Sequence, residues 1–298
     1  MAKLQVRDLT PVIGAEIIGL NPKGRLDGET CRLLRREFDA KGVLLFCDLD
    51  IDRNYQMYLA QILMGQEPAP QEEIARAASQ QDKFWISNKE PDAAAPFGRL
   101  LFHCDGIWCK DPFEVLSLYA VEVAAPVIPT NFASSVNAWK TLPDELRAKI
   151  QGMQVVHVSG PEYLPARRRR EVEDELVQAA RDYVPSYTAH IAHRHPRTGQ
   201  TILFVTQGMT KEIVGLSPDE SEDLLEELFA HSYRPENQWA HDWRNGDLLY
   251  WDNLALQHAR QNVLTSGPVR TLRKVGLPVM QSDISMQTVK SYKSVNAT

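Results

Sequence analysis

The segment His103-Cys104-Asp105, followed much later by His258 and Arg270, contains the side chains best suited to chemistry. Two imidazoles and one carboxylate are the ligand set that binds one face of an Fe(II) octahedron and leaves three positions open. Residues i and i+2 of a β-strand point to the same side, so His103 and Asp105 could reach one metal while Cys104 points away. We therefore expect an iron site with His258 as its third ligand.

Arg270 adds a second element to this candidate site. Its guanidinium is a planar fork of donors that matches a carboxylate, which indicates an acidic small molecule beside the metal. Arg270 follows His258 by 12 residues, which is enough for a hairpin return. Arg270 and Lys274 are four residues apart and would share one face of a strand, whereas Arg273 would lie on the other.

Each of these residues alone has an ordinary structural explanation. The two histidines could be hydrogen-bonded core residues, and Arg270 could pair with Asp252 or Asp247. The set as a whole is harder to explain in this way. Two cations facing the inside of a barrel-like fold need anionic partners, because an unpaired buried charge is costly.

Length and composition limit the class of protein. The chain has 298 residues, with 33 basic and 39 acidic side chains and a formal charge of −6, which argues against a nucleic-acid partner. No apolar run approaches the roughly 18 residues of a membrane span. The N-terminus does not resemble a secretory leader, and the four cysteines are too irregular for a disulfide framework. We expect a cytoplasmic protein with no membrane partner, and homo-oligomer formation stays open.

The elements that must position these residues are mostly short strands. Asp27 is expected to cap a helix that runs through Lys41 and ends at Gly42, before a buried strand at Val43–Phe46. A capping box with proline at the first helical position predicts a helix after Ser217, and a shorter helix is expected over 142–151. Further strands are predicted at 83–87, 114–123, 131–134, 201–205, 246–251 and 270–277. This pattern indicates a mainly β fold with helical insertions, a β-sandwich or jelly roll.

No linker rich in proline and glycine separates two cores, so we expect a single domain over residues 1–298. The polar segment 65–98 is a candidate lid or insertion. A charged helical insertion is predicted over 163–184, where acidic residues directly follow the run Arg167–Arg170. A solvated helix is favoured there over nucleic-acid binding. His190, His193 and His195 could form a second metal site, but a turn before a strand is favoured.

These motifs resemble the taurine dioxygenase-like (TauD/TfdA) family of Fe(II)/2-oxoglutarate oxygenases. The residues that carry the resemblance are His103-x-Asp105, the turn Trp251-Asp252-Asn253 with His258 after four further residues, and Arg270. It extends through the segments TPVIGAEIIGLN, FVTQGMTKEI and SPDESEDLLEELFAH, and so covers most of the chain. The resemblance implies a double-stranded β-helix, which is a cupin-like jelly roll.

The resemblance also implies residue roles. His103, Asp105 and His258 would bind Fe(II), while Arg270 and Thr130 would hold the distal carboxylate of the cosubstrate 2-oxoglutarate. The implied enzyme is a dioxygenase that uses O2, hydroxylates a small organic substrate and releases succinate and CO2.

The substrate is expected to differ from taurine. By the same resemblance, sulfonate-binding members carry an arginine where this chain has Lys274, an asparagine where it has Arg99, and a phenylalanine where it has Met209. These differences indicate a substrate larger than taurine. A lysine can bind an anion as a point charge, so an organic acid is expected. Arg99 could instead be a surface residue, and Met209 could belong to the core.

Two other functions stay open. A zinc-type hydrolase could use the same two histidines and aspartate to activate water, and a jelly roll could bind a ligand without catalysis. Arg270 favours the oxygenase, because a hydrolase has no need of a clamp for a dicarboxylate.

Overall fold

The computed structural model describes residues 4–66, 70, 72–73, 85–91, 93–160, 163–169 and 185–278. Within these ranges the fold is mainly β with helical insertions, as predicted. The strands are β1 (Gln5–Asp8), β2 (Ala15–Ile18), β3 (Val43–Phe46), β4 (Trp85–Ser87), β5 (Gly98–His103), β6 (Val115–Val123), β7 (Thr130–Ser134), β8 (Gln154–Val158), β9 (Ser186–His190), β10 (Ala192–Arg194), β11 (Thr201–Leu203), β12 (Thr210–Ile213), β13 (Gln238–His241), β14 (Leu248–Asp252), β15 (Leu256–Val263) and β16 (Arg270–Leu277). The helices are α1 (Gly28–Lys41), α2 (Arg53–Leu63), α3 (Ser135–Lys140), α4 (Asp144–Lys149), α5 (Ala166–Arg169) and α6 (Pro218–Ser232), with a 3-10 turn at Pro235–Asn237.

Two sheets form the body of the fold. One has seven strands in the order β1-β2-β3-β14-β6-β16-β4, and the other has four in the order β13-β7-β15-β5. Side chains of both sheets meet in one buried apolar cluster, which includes Leu116, Trp251 and Leu272 from the first sheet and Phe132 and Leu256 from the second. The two sheets therefore pack face to face as a β-sandwich. A smaller sheet has three strands in the order β12-β8-β9, and another pairs β10 with β11.

The other face of the seven-stranded sheet is covered by α1 and α2, because Leu34 and Phe38 of α1 pack in the same buried cluster as side chains of β3 and β14. As predicted, α1 begins after Asp27, whose carboxylate accepts from the Thr30 N–H at 2.7 Å. It ends at Gly42, whose φ of 73° lies in the left-handed region that glycine tolerates best. The chain then enters β3 directly.

The predicted capping box is present at the start of α6. The Ser217 side chain accepts from the Glu220 N–H, the Glu220 carboxylate accepts from the Ser217 N–H, and Pro218 occupies the first turn. Leu224 and Leu228 of this helix pack in a third buried cluster with residues of β8, β11 and β12.

Three predicted elements differ in the structure. β15 and β16 do not form a hairpin, because β15 pairs within the four-stranded sheet and β16 within the seven-stranded sheet. The helix expected over 142–151 is the shorter Asp144–Lys149, with Pro143 as its N-cap residue. Of the strand expected over 83–87, Trp85–Ser87 is observed, and residues 83 and 84 lie outside the described part.

Much of the candidate lid at 65–98, and most of the insertion at 163–184, lies outside the described residues. The single-domain organisation over 1–298 therefore stays a prediction. Among the helices that the structure describes, none combines the length and apolarity needed to span a bilayer.

Candidate metal centre

The four-stranded sheet brings the two candidate histidine ligands together. His258 on β15 lies directly opposite His103 on β5, and their ring centroids are 4.1 Å apart. Asp105 Oδ1 lies 3.3 Å from His103 Nε2 and 3.9 Å from His258 Nε2. Each residue thus offers one potential ligand atom within 4.8 Å of the other two.

Asp105 reaches this position from a turn. β5 ends at His103, and residues 105–108 form a turn in which Gly106 has a φ of 76°. The prediction that Asp105 lies on a strand is therefore wrong, although its carboxylate does meet both histidines. Its backbone is held by Asn253, which accepts from the Asp105 N–H and donates to the Asp105 carbonyl, both at 2.9 Å. Sequence analysis identifies Asn253 only as a turn residue, because its partner is 148 positions away.

A hydrogen bond fixes the tautomer of His103. Its Nδ1 lies 2.7 Å from the carbonyl oxygen of Leu101. A carbonyl oxygen can only accept, so Nδ1 carries the proton and Nε2 keeps its lone pair when the ring is neutral. Nε2 then faces Asp105 Oδ1, a second acceptor, at 3.3 Å. Two acceptors at this distance need a cation, and this donor set fits a divalent metal such as Fe(II).

The protonation states agree with this fit. Burial opposes the charge of Asp105, but Lys274 and the two histidines outweigh it and hold the pKa of this carboxyl well below its usual range. Burial, reinforced by His103, holds the pKa of His258 well below its usual range. An ionised carboxylate and a neutral imidazole are the forms that bind a metal. The His258 ring packs against Trp251 with a centroid separation of 4.9 Å.

Arg270 and Thr130 form a polar pair in the same interior. Arg270 donates from Nη2 to Thr130 Oγ1 at 3.1 Å, and Trp243 donates from Nε1 to the same oxygen at 3.0 Å. Because the Thr130 hydroxyl accepts twice, its own proton can be given to a further acceptor. Trp243 is missed by sequence reasoning, since a tryptophan 113 positions from its partner carries no local signal.

The charge of Arg270 is not balanced by an acidic side chain within the described part of the chain. The residue is buried, and its other side-chain hydrogen bond goes to the Ile128 carbonyl at 3.3 Å. Burial, and then the positive charge of Arg260, lower the pKa of Arg270. An anionic ligand at this position would relieve both effects.

The Arg270–Thr130 pair lies close to the three candidate metal ligands. In the β7–β15 ladder, Thr130 pairs with Arg260 and Phe132 pairs with His258. The Thr130 hydroxyl and the His258 ring therefore lie on one face of the sheet, two residues or roughly 7 Å apart along the strand. Arg270 approaches from β16 in the facing sheet. A short dicarboxylate could bridge the two positions.

Lys274 lies on the interior face of β16, as Arg270 does. Its Nζ forms an ion pair with Asp105 Oδ2. Arg273 points to the opposite face, where its Nε donates to Gln56 Oε1 at 2.8 Å. The spacing of the three basic residues therefore predicts their faces correctly.

The two other candidate substrate residues are placed differently. A bulge in β5 puts Leu100, and not Arg99, on the same face as His103, so the exposed Arg99 side chain points away from the triad. Met209 is half-buried and packs against a cluster that contains Cys104. Cys104 itself is buried there, with its thiol 3.7 Å from a backbone carbonyl on β15 and outside the ligand set, as predicted.

Other polar residues noted in the sequence have partners of their own. His195 donates from Nε2 to Asp252 Oδ1 at 2.9 Å, and His241 lies 3.1 Å from Asp247, so neither acid pairs with Arg270. Within the described residues, the triad is the one group of three or more His, Cys, Asp or Glu side chains placed to hold a metal. The histidines at 190, 193 and 195 are not such a group.

The arginine run is only partly solvated. Arg167 is exposed and pairs with Asp223, whereas Arg168 is fully buried and forms two hydrogen bonds with the Glu222 carboxylate, at 2.9 and 3.1 Å. Arg168 also donates to the Lys211 carbonyl at 2.8 Å. It thus anchors the start of the predicted insertion to α6 and to the segment that follows Met209.

Comparison with known proteins decides the family. A model of the family described as "Taurine catabolism dioxygenase TauD, TfdA family" matches residues 5–275. The chain belongs to this family. The resemblance carried by the sequence motifs is thereby confirmed.

Individual relatives agree with membership of the TauD/TfdA family. Pentalenolactone F synthase of Streptomyces arenae is 32% identical over 139 residues. This alignment covers 44% of the chain and 46% of that protein, so the chain spans about half of that relative's length. The alpha-ketoglutarate-dependent 2,4-dichlorophenoxyacetate dioxygenase of Burkholderia sp. (strain RASC) is 23% identical over 262 residues, covering 84% of this chain and 86% of that protein. A crystal structure of a taurine dioxygenase from Burkholderia xenovorans is similar with a TM-score of 0.71 at 22% identity, covering 92% of this chain and 90% of that one. This likeness confirms the predicted jelly-roll fold.

As a TauD/TfdA family member, the chain is an Fe(II)- and 2-oxoglutarate-dependent dioxygenase, as predicted. Its cofactor is Fe(II), and its cosubstrates are 2-oxoglutarate and O2. The comparisons give no support to the alternative of a hydrolase.

Proposed function

We propose that His103, Asp105 and His258 hold the Fe(II), and that Arg270 and Thr130 hold the distal carboxylate of 2-oxoglutarate. The observation that carries the proposal is the convergence of three ligand atoms within 4.8 Å, beside a buried arginine that has no acidic partner among the described residues. When bound, the metal would supply the oxidising chemistry together with 2-oxoglutarate and O2: one oxygen atom would go to succinate as CO2 leaves, and the other would hydroxylate a substrate C–H bond.

The protein keeps the ligand atoms available. The Leu101 carbonyl holds the proton of His103 on Nδ1 and leaves Nε2 free. Lys274 occupies Oδ2 of Asp105, so that Oδ1 is the oxygen directed at the histidines. The rings of Trp251 and Phe132 pack around His258 and exclude water from its far side.

Arg270 and Thr130 orient the cosubstrate. The Arg270 guanidinium can donate to a carboxylate from a fixed direction, and the Thr130 hydroxyl can donate its proton to the same group because it already accepts from Arg270 and Trp243. Burial strengthens these bonds by excluding competing water.

We also propose that the substrate is a small organic acid, and that Lys274 binds its anionic group. Lys274 has three donors, so it could hold Asp105 and a substrate anion together. A relative that is named for 2,4-dichlorophenoxyacetate also acts on an organic acid. Met209 stays a candidate substrate contact, whereas Arg99, exposed on the other face of β5, gains no support from its position. A cytoplasmic location and homo-oligomer formation stay predictions.

The metal and cosubstrate roles can be tested by spectroscopy. Anaerobic addition of Fe(II) and 2-oxoglutarate should give a weak visible charge-transfer band with the wild type and none with His258→Ala. A His258→Ala variant that retained both the band and full activity would contradict the proposal.

The substrate class can be tested by succinate release. A panel of aryloxy acids, sulfonates, sulfate esters and amino acids should contain at least one acid that stimulates release, while its neutral amide does not. The response to that acid should be lost in Lys274→Met and kept in Arg273→Met, which removes a cation from the opposite face of the same strand. Equal activity on an acid and its amide would rule out recognition of an anion.

A further inference from the structure

We infer that Asn253 is a positioning residue that aims Asp105 at the metal. The inference rests on the proposed function, because it takes Asp105 to be a metal ligand. It concerns a residue that binds Asp105 through the backbone of that residue and lies outside the proposed ligand set.

The strand that carries His103 does not fix Asp105. β5 ends at His103, which pairs with His258 on β15, and the chain then turns at Gly106. No ladder hydrogen bond therefore holds the peptide groups on either side of Asp105. The Asn253 side chain holds those groups, at 2.9 Å on the N–H side and 2.9 Å on the carbonyl side, and the Ile107 N–H adds a turn hydrogen bond to the Cys104 carbonyl at 3.2 Å. Two bonds to one residue fix both flanking peptide planes and therefore the direction of its Cα–Cβ bond.

The same amide also closes the loop that follows. Asn253 Nδ2 donates a second hydrogen bond, to the Phe113 carbonyl at 2.8 Å. The side chain thus uses its acceptor and both of its donors, and it is fully buried. Aspartate would lack the donors, and alanine would lack all three groups. Of these three residues, only asparagine supplies all three groups.

Asn253 is itself held in a fixed place. Its own N–H donates to the Glu114 carbonyl at 2.9 Å. The preceding Asp252 accepts from the N–H groups of Leu254 and Ala255 at 3.1 and 3.0 Å, and its carboxylate is bound by His195. A buried turn at the end of β14 thus carries the amide to Asp105. Groups that orient metal ligands typically change metal affinity by 10- to 100-fold when they are removed.

The test is a titration with Mn(II) in the absence of cosubstrate, in which the EPR signal of free Mn(II) measures binding. Asn253→Asp and Asn253→Ala should weaken Mn(II) binding by about 10- to 100-fold. The matched control is Asn237→Ala. Asn237 is also fully buried and donates to backbone carbonyls, those of Ser134 and Ser232, at 3.0 and 2.6 Å. This control should lower the thermal midpoint of the metal-free protein as much as Asn253→Ala does, and leave Mn(II) affinity within about twofold.

The outcomes separate the inference from the proposed function. A wild type that did not bind Mn(II), or bound it equally well after His258→Ala, would refute the proposed metal site. If Mn(II) binding by the wild type depended on His258 but the Asn253 variants bound Mn(II) with unchanged affinity, only the positioning role would be overturned. It would also be overturned if Asn237→Ala weakened Mn(II) binding equally. If neither Asn253 variant folded, Asn253 would be needed for folding and not specifically for positioning Asp105, which would also overturn the inference.

Discussion

The ammonium of Lys274 lies against Oδ2 of Asp105, while Oδ1 of the same carboxylate faces the Nε2 atoms of both histidines. The two oxygens of one ligand are thus divided between a cation of the protein and the position proposed for a metal. Lys274 comes from β16 in the seven-stranded sheet, and the two histidines come from the four-stranded sheet. Several properties of the enzyme should follow from this arrangement.

Replacement of Lys274 by methionine should make the metal-free protein less stable by about 1–3 kcal/mol, because it leaves a partly buried carboxylate without its cation. A bound divalent ion would restore a positive charge beside Asp105. Thermal denaturation with and without Mn(II) should therefore show a larger stabilisation by metal in Lys274→Met than in the wild type. Lys274→Arg, which keeps the charge, is the control. Equal stabilisation of all three proteins would show that Lys274 and the metal do not share Asp105.

Replacement of Arg270 by lysine should raise the KM for 2-oxoglutarate by about 10- to 100-fold, because a lysine loses the planar fork and its charge-assisted hydrogen bonds. The matched control is Arg273→Lys, on the same strand but the opposite face, which should change this KM by less than about twofold. Steady-state succinate formation at varied 2-oxoglutarate measures both values. Similar effects of the two substitutions would remove Arg270 from the clamp.

Thr130→Val keeps the shape of the side chain but removes the oxygen that accepts from Arg270 and Trp243. The unpaired buried donors should lower the free energy of unfolding by about 1–3 kcal/mol. The KM for 2-oxoglutarate should rise as well, because the hydroxyl no longer donates to the carboxylate. Thr130→Ser should restore both properties. If urea denaturation and kinetics showed no difference between the valine and serine variants, the hydroxyl would have no role.

His157 provides a test of pH dependence away from the proposed metal site. It is fully buried, its Nδ1 lies 3.1 Å from Thr210 Oγ1, and burial followed by the charge of His193 lowers its pKa from 6.5 to about 3. Below pH 6.5 the unfolded chain therefore takes up a proton that the folded chain refuses. The stability that depends on neutral His157 is complete above pH 6.5 and is lost as the pH falls toward 3.

From pH 6.5 to 5.0 this single group should remove about 2 kcal/mol of stability. His157→Gln cannot titrate, so its free energy of unfolding, measured in urea at the two pH values, should fall by that much less than the wild type's. Identical pH dependence in the two proteins would mean that the fold does not lower the pKa of His157.

Local signals in the sequence were enough for the caps of α1 and α6, because Asp27, Gly42 and the Ser217–Glu220 box act within one helical turn. The alternation of strand residues also placed Arg270 and Lys274 on one face and Arg273 on the other. These predictions depend on residues that are close in the chain.

Features that depend on distant partners could not be predicted in this way. The β15–β16 hairpin was wrong because a spacing of 12 residues also suits a crossover between sheets, and nothing local distinguishes the two. The spacing of His103 and Asp105 predicts a strand, whereas the residue that supports Asp105, Asn253, lies far along the chain. The bulge that turns Arg99 away from the triad is likewise set by the pairing of β5 with β15.

The most direct test of the metal centre is an anomalous difference map from a crystal grown with Mn(II). The structure predicts one strong peak within bonding distance of His103 Nε2, Asp105 Oδ1 and His258 Nε2, with Lys274 still beside Asp105 Oδ2. A dominant peak elsewhere, or no peak at the triad at saturating Mn(II), would contradict the assignment.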